Sequence, residues 1–386
     1  MRRRFKFITG TASAMVLMSS MAHAASTAER LENLETALEL NEETNAELRA
    51  ELENRMRISG YVDVEYVVTD KKDPGFRMHH LSLFFQKKLS DKWRFFSEIE
   101  YEDGPKFDNE GGGTVTVDTS TEKNSTTELY NFGSADGKIF VEAVNMDYLW
   151  KPEAIFRVGR FFTPAGIWSV DHYPPFVGTQ ERPKHIRKIF PQLVDGAMVY
   201  GTVALGKSYL KYDAFVGNGE GNNGHNDSNN QRSMGLKTSL VVDVPMFSHF
   251  EIGGTFYNDP RLSSDNANKT AVGGHAKLVM GDFNFQSEAS YAKFEEETGG
   301  SKLSTRKGYY GQLAYSPNEW TLGARHDYYN DPDRASKGEV DRVANSVFVN
   351  YQALTNLVIK VEHHMVSAKD TDDSTKTILS VVSYLE

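Results

Sequence analysis

At Arg57 the hydrophobic repeat of this chain changes from about 3.5 residues to two, and it stays at two to the end. A repeat of two turns successive side chains to opposite faces, the pattern of a β-strand. In RISGYVDVEYVV (57–68), Ile58, Val62, Val64 and Tyr66 share one face, and Ser59, Asp63 and Glu65 share the other. KWRFFSEIEYE (92–102) sets Trp93, Phe95, Ile99 and Tyr101 against Arg94, Glu98, Glu100 and Glu102. DFNFQSEASYAKF, EWTLGARHDYY and NLVIKVEHHMV repeat the arrangement at 282–294, 319–329 and 356–366. A soluble sandwich and a membrane barrel both use such strands, so the alternation alone leaves the two open.

The connections separate them. Short ones fall at Ser90–Asp91, Lys151–Ala154, Leu205–Lys207, Val244–Ser248, Gly281, Ser316–Asn318 and Ala353–Thr355. Long polar ones fall between these, at 69–75, 104–138, 164–192, 219–231, 260–270, 296–305, 331–340 and 369–374. Tight turns at one end and long loops at the other are the mark of an outer-membrane barrel. The count predicts a transmembrane antiparallel β-barrel of about sixteen strands over 57–386. Trp93, Trp150 and Trp320 all fall beside short turns, where a membrane-facing aromatic girdle belongs. No run of about eighteen apolar residues follows the first two dozen, so no membrane-crossing helix is expected.

The N-terminus is of another kind. MRRRFKF is a basic n-region, ITGTASAMVLMSSM an apolar core, and Ala22-His23-Ala24 an A-x-A cleavage site, so residues 1–24 read as an export signal. Over 25–56, Leu31, Leu34, Leu38, Leu48 and Leu52 fit the a and d positions of one heptad frame, which also holds Asn41, Asn45 and Arg55. This predicts a short periplasmic coiled coil that joins copies of the chain; an acidic helix lying alone is the alternative. The formal net charge of −10 falls to about −14 once Arg2, Arg3, Arg4 and Lys6 leave with the signal. Such a chain is not expected to bind nucleic acid. With no cysteine, thiolate metal sites and thiol catalysis are excluded.

Against that acidity, residues 164–192 are unusual. They hold Pro164, Pro174, Pro175, Pro183 and Pro191 together with Ile167, Trp168, Tyr173, Phe176 and Ile189. A loop in water has no use for so much apolar surface, and long structureless connections are commonly functional. Folded back into the barrel, it would bury its aromatics on the wall and turn its charges to the lumen. Those charges are concentrated in RPKHIRK: Arg182, Lys184, His185, Arg187 and Lys188, against Asp171 and Glu181. His172 and His185 are expected to titrate near neutrality. Inward wall cations are expected at Arg94, Lys211, Lys237, Lys277, Arg306, Arg325 and Lys360, and at Arg157 or Arg160. Asp63, Glu65, Glu98, Glu100, Asp213, Glu251 and Glu288 lie among them.

The strand count, the third loop entered through RVGRFFTPAGIW and the heptad segment together resemble trimeric bacterial porins with a periplasmic coiled coil. The groups in question are the phosphate-selective porins O and P and the dicarboxylate-type porins. The resemblance implies a trimer in outer-membrane lipid and lipopolysaccharide. It also implies a third loop that narrows the pore and a coiled coil able to reach the cell wall. On that basis Arg182, Lys184, His185, Arg187 and Lys188 would line the constriction, with Asp171 and Glu181, and favour small anionic solutes. Such barrels end on an aromatic residue, whereas this chain ends SVVSYLE, with Tyr384 two residues inside. That leaves the register of the last strand open.

Other signals are weaker. GEGNNG (219–224) matches a dinucleotide fingerprint, but HNDSNNQR follows it where a helix would be required. His79–His80 and His363–His364 are expected to point to opposite faces of their strands and so not to share a metal. No metal, cofactor or catalytic grouping is expected: no Ser, His and Asp or Asn occur at a spacing that marks a nucleophile with its base. The alternatives are a cation-preferring or unselective general porin, a structural tether or an enzyme barrel.

Overall fold

In this computed structural model the residues described are 55–102, 138–220, 231–262, 267–296, 303–333, 338–369 and 371–385. The export signal at 1–24 and nearly all of the heptad segment at 25–56 lie outside them. From Arg57 every extended run becomes a strand, and each pairs antiparallel with its neighbours in sequence. The strands are β1 (Arg57–Thr69), β2 (Gly75–Lys88), β3 (Trp93–Glu102), β4 (Lys138–Lys151) and β5 (Ala154–Phe162). Then come β6 (Leu193–Leu205), β7 (Ser208–Gly217), β8 (Ser233–Val241), β9 (His249–Leu262), β10 (Ala267–Met280) and β11 (Phe283–Glu296). The series ends with β12 (Leu303–Tyr315), β13 (Trp320–Asn330), β14 (Arg342–Leu354), β15 (Leu357–Ala368) and β16 (Thr371–Leu385). β16 pairs back onto β1, from Gly60↔Leu385 to Thr69↔Lys376, and closes a sixteen-stranded barrel with no free edge. The register of the last strand is thereby settled, with Tyr384 opposite Tyr61.

Closure sorts the two faces. Val349, Val361 and Leu379 meet side by side across β14, β15 and β16, and all three point outward with 38–45 % of their surface exposed. Lys360 and Glu362, their sequence neighbours, are buried inside. A face of contiguous exposed aliphatic side chains over polar, buried inner positions is the reverse of a water-soluble domain. At the short-turn end Trp93 packs on Tyr148, Trp320 on Tyr351 and Phe283 on Tyr315, with ring centroids 4.7–5.1 Å apart. This is the expected girdle. The turns there are tight: Gly206 and Gly281 sit at φ 66° and 55°, a conformation glycine adopts without steric cost.

Three long connections are shorter than expected; in the one expected at 296–305, β12 already starts at Leu303. β9 and β10 continue to Leu262 and from Ala267, so the loop expected at 260–270 shrinks to 263–266. Likewise the one at 369–374 shrinks to 369–370, and Thr371, Asp372 and Asp373 open β16. Polar composition suggested loops, but backbone pairing needs no apolar side chain and continues past the apolar belt.

A larger correction concerns His79 and His80. They do not face opposite ways. Asp63 pairs with His80 and Val64 with Met78, so His79 is the extra residue of a β-bulge. The bulge breaks the two-residue period and turns both rings inward, 3.6 Å apart and both beside Asp63.

Candidate functional site: the third loop and the charged mouth

The third long-loop connection, L3 (163–192), enters the barrel at once. Its stem is closed by Thr163 N–H donating to Gln192 O at 3.0 Å. Gly166 takes φ 54° and lies so close to the wall that a β-carbon would come within 1.6 Å of Glu288 Oε2. The Trp168 amide can therefore donate to Glu288 Oε1 at 2.9 Å, and the Tyr310 hydroxyl donates to the same oxygen at 3.0 Å. The Trp168 side chain is 2 % exposed and packs with Ile186 and Tyr310. Ile189 and Phe190 join a second buried cluster with Phe161, Met198, Phe215 and Tyr257 of the wall. The apolar content of the loop is thus used against the barrel's inner face.

Polar contacts fasten the rest. The Lys360 ammonium donates to the carbonyls of Pro174 and Val177, both at 2.8 Å. Glu362 accepts the amides of Gln180 and Glu181 at 2.8 and 3.3 Å. Arg325 donates to Thr179, and Asn350 to the Gly178 carbonyl. On the β3–β4 wall Tyr173 donates to Glu98 and Gln192 to Glu142. L3 therefore spans the barrel from β3–β4 to β13–β16.

Its basic run lies at the long-loop end. One turn of helix, α1 (Ile186–Ile189), buries Ile186 and Ile189 and leaves Arg187 exposed. Between the run and β1–β2 lies a cavity of about 380 Å³. Arg77, Arg182, Lys184, Arg187, Lys188 and Lys376 line it, against Glu65, Glu102 and Glu181. It shares Arg77, Glu181, Arg182 and Lys376 with a wider mouth of about 930 Å³, where Lys71, Lys72, Arg325 and Arg342 are matched by Asp70, Asp73, Asp327 and Asp372.

Several of these cations are paired. Lys184 and Lys188 share Glu339 Oε1 at 3.1 and 3.4 Å, and Arg77 meets Glu65 at 3.1 Å. Lys376 pairs with Glu181. Burial alone would raise the Glu181 carboxyl, but Lys376 outweighs it and holds the group at about 2. With a folded value depressed below 4.5, that pair contributes stability above pH 4.5 and loses it as pH falls toward 2. Arg182 and Arg187 make no direct ion pair among the described residues. Burial first, and then Arg187, bring Arg182 down to about 10, so it is charged at neutral pH.

The two histidines depart from expectation. His172 and His185 are 2 % and 0 % exposed. Burial, then Arg182 and Arg187, push His172 well below its ordinary range; burial, then Arg325, bring His185 to about 3. Neither titrates near neutrality. His185 does not line the constriction either: it fills the space left by Gly308 and lies beside Tyr310.

The wall cations divide by position. Arg157 bonds Asp147 at 2.7 Å and, with Lys237, lines a space of about 430 Å³ under L3. Lys277 and Asp171 line another of about 310 Å³. Arg94 lies 3.4 Å from Asp147, Lys211 pairs with Glu251, Arg306 with Asp331, and Arg160 with Asp195 away from these spaces. Arg325 and Lys360 point inward but are covered by L3 and act as its anchors. The sequence reading passed over Arg77, Lys376, Glu339 and Glu142. Arg77 was legible, since GFRMHH alternates around it; Glu339 and Lys376 stood in or beside segments read as loops.

Sixteen strands in continuous antiparallel order match known structures. OmpT of Vibrio cholerae superposes at TM-score 0.56 in a loop-deletion form, with 12 % identity over 86 % of this chain and 99 % of that one. Its trimer form gives 0.52 at 11 % identity, over 86 % and 99 %. The barrel has the porin fold. OmpF of Salmonella typhi in complex with daunomycin (TM-score 0.53, 13 % identity, 86 % and 98 % covered) agrees. So does the outer membrane channel DcaP of Acinetobacter baumannii (0.51, 12 %, 85 % and 96 %). No protein-family model matches this chain. An uncharacterised protein of Aquifex aeolicus is 26 % identical over 166 residues, 42 % of this chain and 32 % of that protein, so the match spans about a third of the relative.

Proposed function

We propose that this protein is an outer-membrane porin that lets small hydrophilic solutes diffuse passively, with anions favoured at its long-loop mouth. The observation that carries the preference is the cavity beside L3, lined by six lysines and arginines against three carboxylates. Arg182 and Arg187 matter most there, because their charges are not spent on a direct partner. The reading involves no covalent chemistry. The exposed aliphatic outer face and the aromatic girdle support the membrane location, and the A-x-A site supports export. Phosphate and dicarboxylates are the anions that the sequence resemblance suggests. A trimer joined through the 25–56 segment completes the proposal, in keeping with the trimer form of OmpT, and that segment could also reach the cell wall.

The test is the reversal potential of the purified protein in a planar bilayer under a salt gradient. Wild type is expected to show anion preference. One unit charge at about 8 Å in water is worth roughly 0.5 kcal/mol, with opposite signs for anions and cations. R182Q/R187Q is therefore expected to lower the anion-to-cation permeability ratio by roughly fivefold after screening. A cation-preferring wild type would place control in the acidic wall beneath L3 and overturn the anion reading. Absence of any conductance would overturn the channel reading and return attention to an enzyme or tether.

A further inference from the structure

Beneath L3 the wall of β3 and β4 holds a group the channel reading does not use. Glu98, Glu100 and Glu142 are 0 %, 1 % and 5 % exposed, and each offers a carboxylate oxygen within 4.8 Å of the others. Simple alternation would not bring Glu142 here. Glu98 pairs with Ala143 and Ile99 with Val141, so Glu142 is the extra residue of a second bulge, which turns its side chain inward. Each carboxylate is then oriented by a neighbour. Ser82 and Tyr173 donate to Glu98 at 2.8 and 3.2 Å, Tyr61 donates to Glu100, and Gln192 donates to Glu142 at 3.0 Å. Glu100 Oε1 and Glu142 Oε2 remain without a hydrogen-bond partner although buried.

A second, independent observation comes from L3. His172 is 2 % exposed, and its Nε2 has no hydrogen-bond partner. That nitrogen lies 3.8 Å from Glu142 Oε2, too far for a hydrogen bond. Two bonds of about 2.1 Å to one ion can span about 3.8 Å. Arg182 faces Glu142 and Glu100 from L3, but no direct ion pair forms with it. Three carboxylates packed away from water call for more counter-charge than Arg182, Arg187 and His80 provide, since none of these bonds them directly.

We propose that Glu98, Glu100, Glu142 and His172 form a binding site for one divalent transition-metal cation, which fastens L3 to the β3–β4 wall. Magnesium and calcium prefer oxygen alone, whereas three carboxylates with one imidazole suit manganese, iron(II) or zinc. Tyr61, Ser82 and Gln192 supply the outer hydrogen bonds that fix the carboxylates. Three of the participating residues, His172, Tyr173 and Gln192, belong to L3, so occupancy couples directly to how firmly the loop is held.

The probe is Mn²⁺, titrated into the full-length protein in detergent after chelator treatment and followed by electron paramagnetic resonance. One bound Mn²⁺ per chain is expected, unaffected by equimolar Mg²⁺. E142Q and H172Q, which keep side-chain volume roughly constant, are each expected to weaken binding at least tenfold. As a readout independent of variants, Mn²⁺ is expected to slow trypsin cleavage at Arg182–Lys188 in the wild-type protein. Absence of Mn²⁺ binding by wild type would overturn the proposal. So would binding that E142Q and H172Q leave unchanged, since the ion would then sit on the acidic loops. Either result leaves the reversal-potential test of the channel unaffected.

Discussion

Replacing Lys360 by methionine is expected to release the central part of L3 from the β14–β16 wall. The Lys360 side chain is 1 % exposed, and its ammonium holds two loop carbonyls, those of Pro174 and Val177. Its charge also stands near Glu362, Asp63 and Glu65, which are themselves buried. Methionine keeps the volume and removes the cation. Two carbonyls then lose their donor, and the Glu362 carboxylate, which accepts two L3 amides, loses a nearby positive charge. Breaking one side of a buried charge arrangement costs about 3–5 kcal/mol. That loss falls on the loop, because the β15 ladder does not depend on the side chain. Single-channel conductance is expected to rise roughly twofold or more as the constriction loosens, with faster trypsin cleavage in the Arg182–Lys188 run than in wild type. Unchanged conductance in K360M would mean that Trp168 and the Phe190 cluster hold L3 by themselves.

The contrast between Lys360 and Arg182 shows how far a sequence can be read in such a chain. Period-two alternation and the parity of short and long connections revealed the barrel, because both follow from backbone geometry that each strand carries locally. The inward return of L3 was legible from Trp168, Ile189 and five prolines, which make no sense in water. What each inward cation does was not legible. Lys360 and Lys277 look alike in sequence: both are lysines between apolar neighbours. One lies under L3 and anchors it, and the other lines open space; the path of a loop 186 residues away in sequence from Lys360 decides between them. The bulges at His79 and Glu142 were equally hidden. One extra residue in a ladder leaves no compositional trace, yet it decides which face a side chain joins. Both bulges lie on the β1–β4 wall, and both add an ionisable group to the lumen. Net charge was the poorest guide of all. An acidic chain still gathers six lysines and arginines against three carboxylates in the pocket beside L3.

The same strand supplies the sharpest test of which face meets lipid. Val361 follows Lys360 and points the other way, between Val349 of β14 and Leu379 of β16, near the middle of the apolar belt. An arginine at position 360 would stand among carboxylates and carbonyls. At position 361 it would have only aliphatic neighbours and hydrocarbon, with no acceptor in reach. On the lipid face near the bilayer centre such a substitution costs about 2–4 kcal/mol, falling to about 0–1 near the interfaces. V361R is therefore expected to lower folding stability by about 2–4 kcal/mol, measured by urea titration in phospholipid vesicles. In detergent micelles, which deform around a charge and admit water, the loss is expected to be smaller. If instead V361R were neutral in both media, the exposed aliphatic face would not be lipid-facing at that depth, and the outer-membrane assignment would lose its main physical support. A loss in vesicles with unchanged L3 protection from trypsin would separate the two faces of β15: the outward residue sets how well the barrel sits in the bilayer, and the inward one sets how tightly the pore is closed.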